Sequence, residues 1–515
     1  FPYTTLFRSS VSSWGATGMA RVWLTFLISI LVLPAAAANQ ASTLSGLSDK
    51  DRAKFEDIVK AIDEWDGSVW AYNDIKEDIK KLSFAHPGSI PIEIEVTRLE
   101  WARISDRQGV RTGSMSFLPR FLGYAQKEPD YAKVHLLAAR AYIFAQDYEG
   151  AIPSLNKATQ LDPSNPWVDL TWSLLNERKF NRALAVEWAR KALEKSTGSR
   201  SVTASAITAI TKNRGVEDLE AASALAKGLA SLEPNPEVRI EIAGRLIDSY
   251  YFQPGLLETA GAILDQANVG SEPTPTSLLQ WARISLQTGY VSSRGPKDTY
   301  DENYLQSAKK ILRYVERVSD LDLQVQPFLL EIAIKEGKID ETSGIIQRAS
   351  DLGATKTWIA WARAQVLFSR MKYAEVASIY EENLLSPRDR AYVESTTSRS
   401  LDRTGQQYIY YIEWDPASPH PYGNYAAFLL YTMKDTVAAI HYAREAMKIG
   451  PYPAVQTTLA TAFLYQSGIR LRDGYLDDAL KSYEEAKAVG FDEKMILQQC
   501  YALCSEVSGA MNAFR

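Results

Sequence analysis

The sequence is poor in the residues that most often perform chemistry. Its 515 residues include only 4 histidines and 2 cysteines. The histidines are widely separated, and the short patterns typical of serine hydrolases, zinc peptidases and phosphate- or dinucleotide-binding loops do not occur. The sequence therefore predicts no cofactor, no metal site and no catalytic residue.

The two cysteines, Cys500 and Cys504, are four residues apart in a segment with helical periodicity. In an α-helix, side chains at that spacing lie about 5–6 Å apart at Cβ, whereas a disulfide prefers about 3.5–4.5 Å. We therefore expect two buried, unbridged small apolar residues rather than a redox pair.

Basic residues do not dominate the chain either. Lysine and arginine total 57 against 62 acidic residues, which gives a formal net charge of −5. Because phosphate binding requires a basic surface and no run of lysine or arginine stands out, we expect no nucleic-acid partner. A membrane-spanning helix needs about 20 apolar residues, and the longest apolar run, at 22–33, is shorter.

That apolar run belongs to a pattern typical of a secretory signal peptide, at residues 19–38. One basic residue, Arg21, precedes it, and a proline and four alanines follow it. We expect cleavage near Ala38 and a periplasmic mature protein, with an extracellular or signal-anchored protein as alternatives. Any membrane contact is expected only through an uncleaved signal segment.

The first ten residues, FPYTTLFRSS, lack an apolar period of either helix or strand. The first nine, FPYTTLFRS, resemble the translation of a sequencing adapter. We therefore expect residues 1–18 to be non-native and the natural protein to start at Met19.

Residues 133–166 contain small and large residues at the spacings of a helical hairpin. Small residues allow two helices to cross closely, large residues pack beside them, and a proline ends the second helix. The residues that carry this pattern are Ala139, Tyr142, Ala151, Leu155, Ala158 and Pro163.

The same offsets recur towards the C-terminus, and more loosely from Leu330 and from Ala364. The C-terminal copies are Ala427, Leu430, Ala439, Ala443, Ala446 and Pro451, then Thr461 and, after six extra residues, Ala479, Tyr483 and Ala486. This pattern resembles the tetratricopeptide repeat (TPR), whose period is 34 residues, in an exported bacterial protein.

The resemblance implies an all-α fold, a right-handed α-solenoid of roughly a dozen TPR-like hairpins, many of them degenerate. The expected divisions are an N-terminal helical region at 39–130, a solenoid at 131–403, and a C-terminal repeat pair with a capping helix at 420–515. Between them, residues 404–419 are expected to form an irregular insert. The stretch 404–425 is aromatic, β-branched and proline-bearing, which predicts extended structure followed by a loop.

In TPR proteins, peptide specificity comes from residues about one turn on either side of the small residue of the first helix. Carried onto this sequence, they form an aromatic and uncharged groove, and because only Asn424 fits a carboxylate clamp, no clamp is expected. The alternative, that several of these side chains pack between helices, stays open. The groove residues are Asn424, Phe428, Tyr431, Thr458, Tyr465, Trp361 and Gln365.

These observations predict a non-catalytic scaffold of the cell envelope that binds a protein or peptide, or chains of a secreted polymer, in its concave groove. The alternative is an exported enzyme, or an accessory protein of polysaccharide export, with a site near 404–425. Trp414, Asp415 and His420 would lie near one another in that site.

Overall fold

The computed structural model describes residues 46–514, apart from 64–68, 109, 197–198, 216–217, 250–254, 271, 293–300, 371, 373–374, 377, 380–400, 415–417, 494–495 and 498–499. The expectations for residues 1–18 and 19–38 lie outside this part of the chain, as does Asp415.

The described part of the chain contains 23 α-helices and no strand. The first half comprises α1 (Asp49–Asp63), α2 (Val69–Ala85), α3 (Ile90–Gln108), α4 (Val110–Lys127), α5 (Ala132–Ala145), α6 (Tyr148–Leu161), α7 (Pro166–Arg178), α8 (Arg182–Glu194), α9 (Arg200–Gly215), α10 (Leu219–Leu232), α11 (Pro236–Ser249) and α12 (Leu256–Ala267). The second half comprises α13 (Pro275–Ser292), α14 (Glu302–Val318), α15 (Asp322–Lys335), α16 (Ile339–Asp351), α17 (Lys356–Ser369), α18 (Leu401–Trp414), α19 (Pro419–Phe428), α20 (Thr436–Ile449), α21 (Pro453–Arg472), α22 (Leu476–Val489) and α23 (Cys504–Phe514).

Consecutive helices pair as hairpins, for example α5 with α6, α7 with α8 and α11 with α12. The first helices of successive hairpins also pack side by side, from α5 through α7, α9 and α11 to α13. The prediction of an all-α solenoid of TPR-like hairpins is confirmed. Within the described residues, no helix is long and apolar enough to cross a membrane.

One turn geometry joins the two helices of several hairpins. In the hairpin of α5 and α6, Asp147 donates its backbone N–H to the carbonyl of Tyr142 at 3.0 Å, and its carboxylate accepts from the N–H of Gly150 at 2.9 Å. The residue before it, Gln146, has a φ of 71°. Gly337 takes this conformation in the hairpin of α15 and α16, where only glycine avoids a steric penalty. The turn thus stops one helix and caps the next.

Small residues occupy the places where the helices of a hairpin cross. The first-helix residue Ala139 is fully buried, whereas Tyr142 and Pro451 are half-buried and Pro163 is exposed in the turn after α6. The buried alanines of the second helices are Ala151, Ala158, Ala439, Ala446, Ala479 and Ala486.

A further hairpin repeats this pattern with serine in place of alanine. Ser173 follows Ala139 by 34 residues, and Ala185 follows Ala151 by the same interval. The Ser173 hydroxyl donates to the carbonyl of Ala185 at 2.7 Å, so the crossing is tied by a hydrogen bond. Sequence reasoning missed this tandem repeat, although the 34-residue spacing from the Ala139 hairpin was present.

Ala427 does not occupy the crossing position expected for it. The last turn of its helix is a π-helix, Leu429–Met433, and Asp435 therefore donates to the carbonyl of Leu429, six residues back rather than five. The extra residue rotates the preceding helix by one position. As a result Ala426 is fully buried and Ala427 is only half-buried.

The last repeat also differs from its expected register. α21 is 20 residues long, and the crossing residue is Ser467, whose hydroxyl donates to the carbonyl of Ala479 at 2.7 Å. Ser467 stands in the same relation to Ala479 as Ser173 does to Ala185. The six extra residues therefore lengthen the first helix before the crossing, and Thr461 is a buried residue upstream of it.

The expectation of an irregular insert at 404–419 is wrong. Leu401–Trp414 and Pro419–Phe428 are both helices, and the hydroxyl of Ser418 accepts from the N–H of His420 at the start of the second. Tyr408 and Tyr411 lie on one helical face and are buried. Their three-residue spacing and their burial outweigh the strand preference of aromatic residues.

The expectation of unbridged cysteines is also wrong, because Cys500 and Cys504 form a disulfide. A 3-10 turn, Tyr501–Leu503, separates them, and their Cα atoms are 4.8 Å apart. The α-helical spacing assumed for them therefore does not apply. The bond lies at the start of α23, which packs on α21, where Gly468 lies directly against the backbone of Glu506.

The crossing of α19 and α20 allows a direct test of this packing. Replacement of the fully buried Ala439 by leucine should overpack the crossing and lower the free energy of unfolding by about 1–3 kcal/mol. The same substitution at the exposed Ala454 should have almost no effect. Thermal unfolding followed by circular dichroism distinguishes the two, and equal melting temperatures for both variants would contradict the helix register at this crossing.

Candidate functional site

The structure buries four of the seven residues predicted to line the groove, while the other three are half-buried. Phe428 packs on Tyr408 with the ring centroids 5.3 Å apart, and the Trp361 ring lies 6.0 Å from that of Trp358. The buried residues are Phe428, Trp361, Thr458 and Tyr465, and the half-buried residues are Asn424, Gln365 and Tyr431. For the buried four, packing between helices is the observed environment, so they offer little surface to a partner.

His420, which the alternative reading as an enzyme places in its site near 404–425, faces the protein interior. His420 is 4% exposed, and its ring meets that of Tyr452 edge-on at 4.7 Å. The side chain of Trp414 lies outside the described part of the structure, as does Asp415. Within the described residues, no group of three histidine, cysteine or acidic side chains is placed to hold a metal ion.

Polar side chains are concentrated on the first helices of the central hairpins, α7, α9, α11 and α13. They form a continuous row of half-buried groups, which we call the first-helix stripe. The stripe consists of Glu177, Ser201, Ser205, Thr208, Lys212, Glu241, Arg245, Asp248, Gln280, Arg283 and Gln287.

The register of α13 places the stripe at the positions that the family resemblance nominates. Asp301 begins the second helix of this hairpin and donates its N–H to the carbonyl of Gly289, as Asp147 does to Tyr142. Leu286 therefore corresponds to the crossing residue Ala139. Arg283 and Gln287, on either side of Leu286, take the places that Trp361 and Gln365 take in α17.

Hydrogen bonds of the stripe connect α7 to α9. The carboxylate of Glu177 in α7 accepts from the ammonium of Lys212 at 2.8 Å and from the amide of Asn213 at 3.1 Å, both in α9. Burial alone would raise the pKa of Glu177, but the positive charges of Lys212 and Arg178 outweigh it and hold the pKa below its usual range. Glu177 is therefore ionised at neutral pH.

A second set of contacts connects α9 to α11. Arg245 donates to Glu241 one turn earlier at 2.6 Å and to the hydroxyl of Ser201 at 3.2 Å, and Arg200 donates to Glu241 at 2.7 Å. Burial alone would raise the pKa of Glu241. The positive charges and hydrogen bonds of Arg245 and Arg200 lower it by more than burial raises it, so the pKa lies below its usual value.

The third set connects α11 to α13. The guanidinium of Arg283 donates to the carboxylate of Asp248 in α11 and to the side-chain oxygen of Gln280 at 2.7 Å. Gly244 lies beside the Gln280 amide, where an added Cβ would come within 3.4 Å of it. Neighbouring first helices are thus joined by hydrogen bonds along one face.

The first-helix stripe of the central hairpins carries charged side chains, whereas the seven residues predicted to line the groove are uncharged. Each cation of the stripe has an acidic partner in the same or the next helix: Lys212 with Glu177, Arg245 with Glu241, and Arg283 with Asp248. Sequence reasoning missed these residues because it assigned no repeat to their hairpins. The polar residues recurring at helical spacing in α11, Glu241, Arg245 and Asp248, were the available signal.

Comparison with known proteins gives structural matches alone. No protein-family model and no curated protein matches the chain. Yeast Tom70 is 14% identical, the match covers 92% of this chain and 96% of the Tom70 chain, and the TM-score is 0.39. The APC/C hetero-tetramer Cut9–Hcn1 is 13% identical, with 92% of this chain and 85% of that chain covered and a TM-score of 0.39. The P58(IPK) TPR domain is 12% identical, with 80% of this chain and 98% of that chain covered and a TM-score of 0.23. At these identities the similarity concerns the fold alone.

The charge of Glu241 should make stability depend on pH. Because its folded pKa is lowered, its stabilising effect is complete above the unfolded value, about 4.3, and is lost as the pH falls through the folded value. Glu241→Gln should therefore be less stable than the unmodified protein at pH 7, and the difference should shrink by pH 3. Melting temperatures across this range measure it.

The exposed Glu56 in the middle of α1 provides a matched control. Glu56→Gln should have nearly the same melting temperature as the unmodified protein across this range. If the difference in melting temperature between Glu241→Gln and the unmodified protein stayed constant from pH 7 to pH 3, this would contradict the assignment of an ionised, paired carboxylate.

Proposed function

We propose that this protein is a non-catalytic scaffold that binds an extended polypeptide segment along the first-helix stripe. The observation that carries the proposal is the row of half-buried hydrogen-bonding side chains on four consecutive first helices. Such a row suits a partner that presents a regular series of donors and acceptors, which an extended peptide backbone does.

The charge balance of the stripe supports this class of partner. Arg245 and Arg283 are already neutralised by Glu241 and Asp248, so the stripe has no excess charge to recognise an anionic polymer. The amides of Gln280 and Gln287 and the hydroxyls of Ser205 and Thr208 lie half-buried beside these ion pairs. The two hydroxyls donate to carbonyls of their own helix, and the Gln280 oxygen accepts from Arg283. A hydroxyl oxygen can also accept and an amide nitrogen can also donate, which matches the N–H and C=O groups of a peptide backbone.

A binding measurement on two glutamines tests the proposal. Peptides selected for affinity from a display library would be titrated against the protein by fluorescence anisotropy. Replacement of Gln280 and Gln287 together by alanine should weaken a selected peptide about tenfold, since each lost hydrogen bond contributes about 0.5–1.5 kcal/mol.

The controls are Gln306→Ala in α14 and Gln347→Ala in α16, which remove exposed amides from second helices. Neither should change the affinity. Undiminished binding by the Gln280 and Gln287 double variant, at unchanged helicity, would place the binding surface elsewhere and contradict the proposal.

We also propose that the scaffold acts in the periplasm. Residues 19–38 have the order of a signal peptide, and the Cys500–Cys504 disulfide supports an oxidising compartment. A fusion of residues 19–45 to a reporter active only outside the cytoplasm should be active, and deletion of 22–33 should abolish the activity. An inactive fusion, with the reporter itself well produced, would contradict export.

A further inference from the structure

Two side chains near the start of the solenoid donate hydrogen bonds to helix ends far along the chain. The amide nitrogen of Gln146, in the turn between α5 and α6, lies 3.3 Å from the carbonyl oxygen of Glu413. The guanidinium of Arg182, at the start of α8, lies 2.5 Å from the carbonyl of Lys448 and 2.7 Å from that of Ile449. Both acceptor sites are the last turns of helices, α18 and α20.

These contacts have a common spacing. The sequence separation is 267 residues for the Gln146 contact and also for the contact between Arg182 and Ile449. This separation is about eight repeat lengths of 34 residues. Because two successive hairpins meet partners at the same spacing, the contacts mark one full turn of the superhelix, after which the chain lies against its own earlier hairpins.

The chemistry of the Arg182 contact is that of a helix cap supplied from a distance. The last carbonyls of α20 have no partner within the helix and carry the negative end of its dipole, so a cation there is stabilising. In its own helix, Arg182 occupies the first position, where the dipole disfavours a positive charge. The positive charge of Arg182 is therefore stabilised by the C-terminal end of α20 and not by the N-terminal end of its own helix, α8.

We call the contacts of Gln146 with Glu413 and of Arg182 with Lys448 and Ile449 the seam between the two turns. The seam is polar and small. Among the described helices, neither α8 and α20 nor α6 and α18 form an extensively packed pair. Phe180 and Leu184 flank Arg182 but stay 51% and 40% exposed. Since no hydrophobic core spans the seam among the described residues, the two turns can separate without unfolding either of them.

The backbone of Gln146 offers a way to remove its contact without destabilising the turn. Its φ is 71°, a costly conformation for a residue with a side chain. Glycine occupies the same turn position at Gly337 and Gly474, whereas Phe180 and Lys434 adopt it with side chains. A glycine at 146 would relieve this strain but would lose the contact with Glu413.

We propose that Gln146 and Arg182 form a latch that holds successive turns of the superhelix together and limits access to the first-helix stripe. The latch itself is independent of the proposed function, whereas its role in admitting a peptide partner rests on it. Opening the latch would uncover the stripe for a partner too wide to enter a closed turn.

The latch is tested with Gln146→Gly and Arg182→Met, separately and together. Spin labels on cysteines replacing the exposed Glu187 of α8 and His441 of α20 report the distance across the seam by pulsed electron paramagnetic resonance. The native cysteines are bonded to each other and do not compete for the label. The unmodified background should give one short, narrow distance, and the double variant a longer and broader one.

Two features keep this test independent of folding. Gln146→Gly removes backbone strain, so its melting temperature should not fall even though the seam contact is lost. Arg190→Met, an exposed arginine on the same helix, is the matched control and should leave the distance unchanged. An unchanged distance in the double variant would overturn the latch.

Access to the stripe is measured separately, without any partner. A cysteine replacing the half-buried Ser205 should react several-fold faster with a polyethylene-glycol maleimide in the double variant than in the latched protein. A cysteine replacing the exposed Lys310 of α14 should react equally fast in both. A wider seam with unchanged labelling of position 205 would overturn the claim that the latch limits access. Failure of peptide binding alone would affect only the proposed function.

Discussion

The close crossing of two helices within a hairpin is the contact on which the rest of the structure depends. Ala139 and Ala151 have no exposed surface, and their small side chains let the backbones of α5 and α6 approach. Where serine replaces alanine, as at Ser173 and Ser467, the hydroxyl donates to a carbonyl of the second helix. A buried polar group at such a crossing is tolerated because its hydrogen bond is made within the hairpin.

Repetition of this contact fixes where polar groups can lie. Each first helix packs against its own partner and against the next first helix, which leaves one narrow face for half-buried side chains. In the central hairpins that face carries Glu177, Arg245 and Arg283, each hydrogen-bonded to a side chain of a neighbouring first helix. Removing one member of such a pair leaves a partly buried charge without its partner, which lowers the stability of the fold.

The sequence and the structure agree best where local spacing decides the outcome. Ala139 and Ala151 could be placed from their interval alone, since a crossing needs small residues at fixed offsets. Ala427 could not, because the π-turn at Leu429–Met433 depends on how the hairpin closes and leaves no spacing signal. The groove residues Phe428 and Tyr465 were predicted from the family pattern, but their exposure depends on neighbouring helices, which bury them.

The sequence by itself determined that this chain folds into α-helical hairpins, because the apolar period and the 34-residue interval are properties of adjacent residues. Only the tertiary structure decided which polar groups face one another. The pairing of Asp248 with Arg283 requires two helices in register, and the bond from Arg182 to Ile449 requires two hairpins far apart in the chain to meet. A contact across 267 residues depends on the small rotations between successive hairpins, which add up along the chain. No local sequence pattern encodes their total.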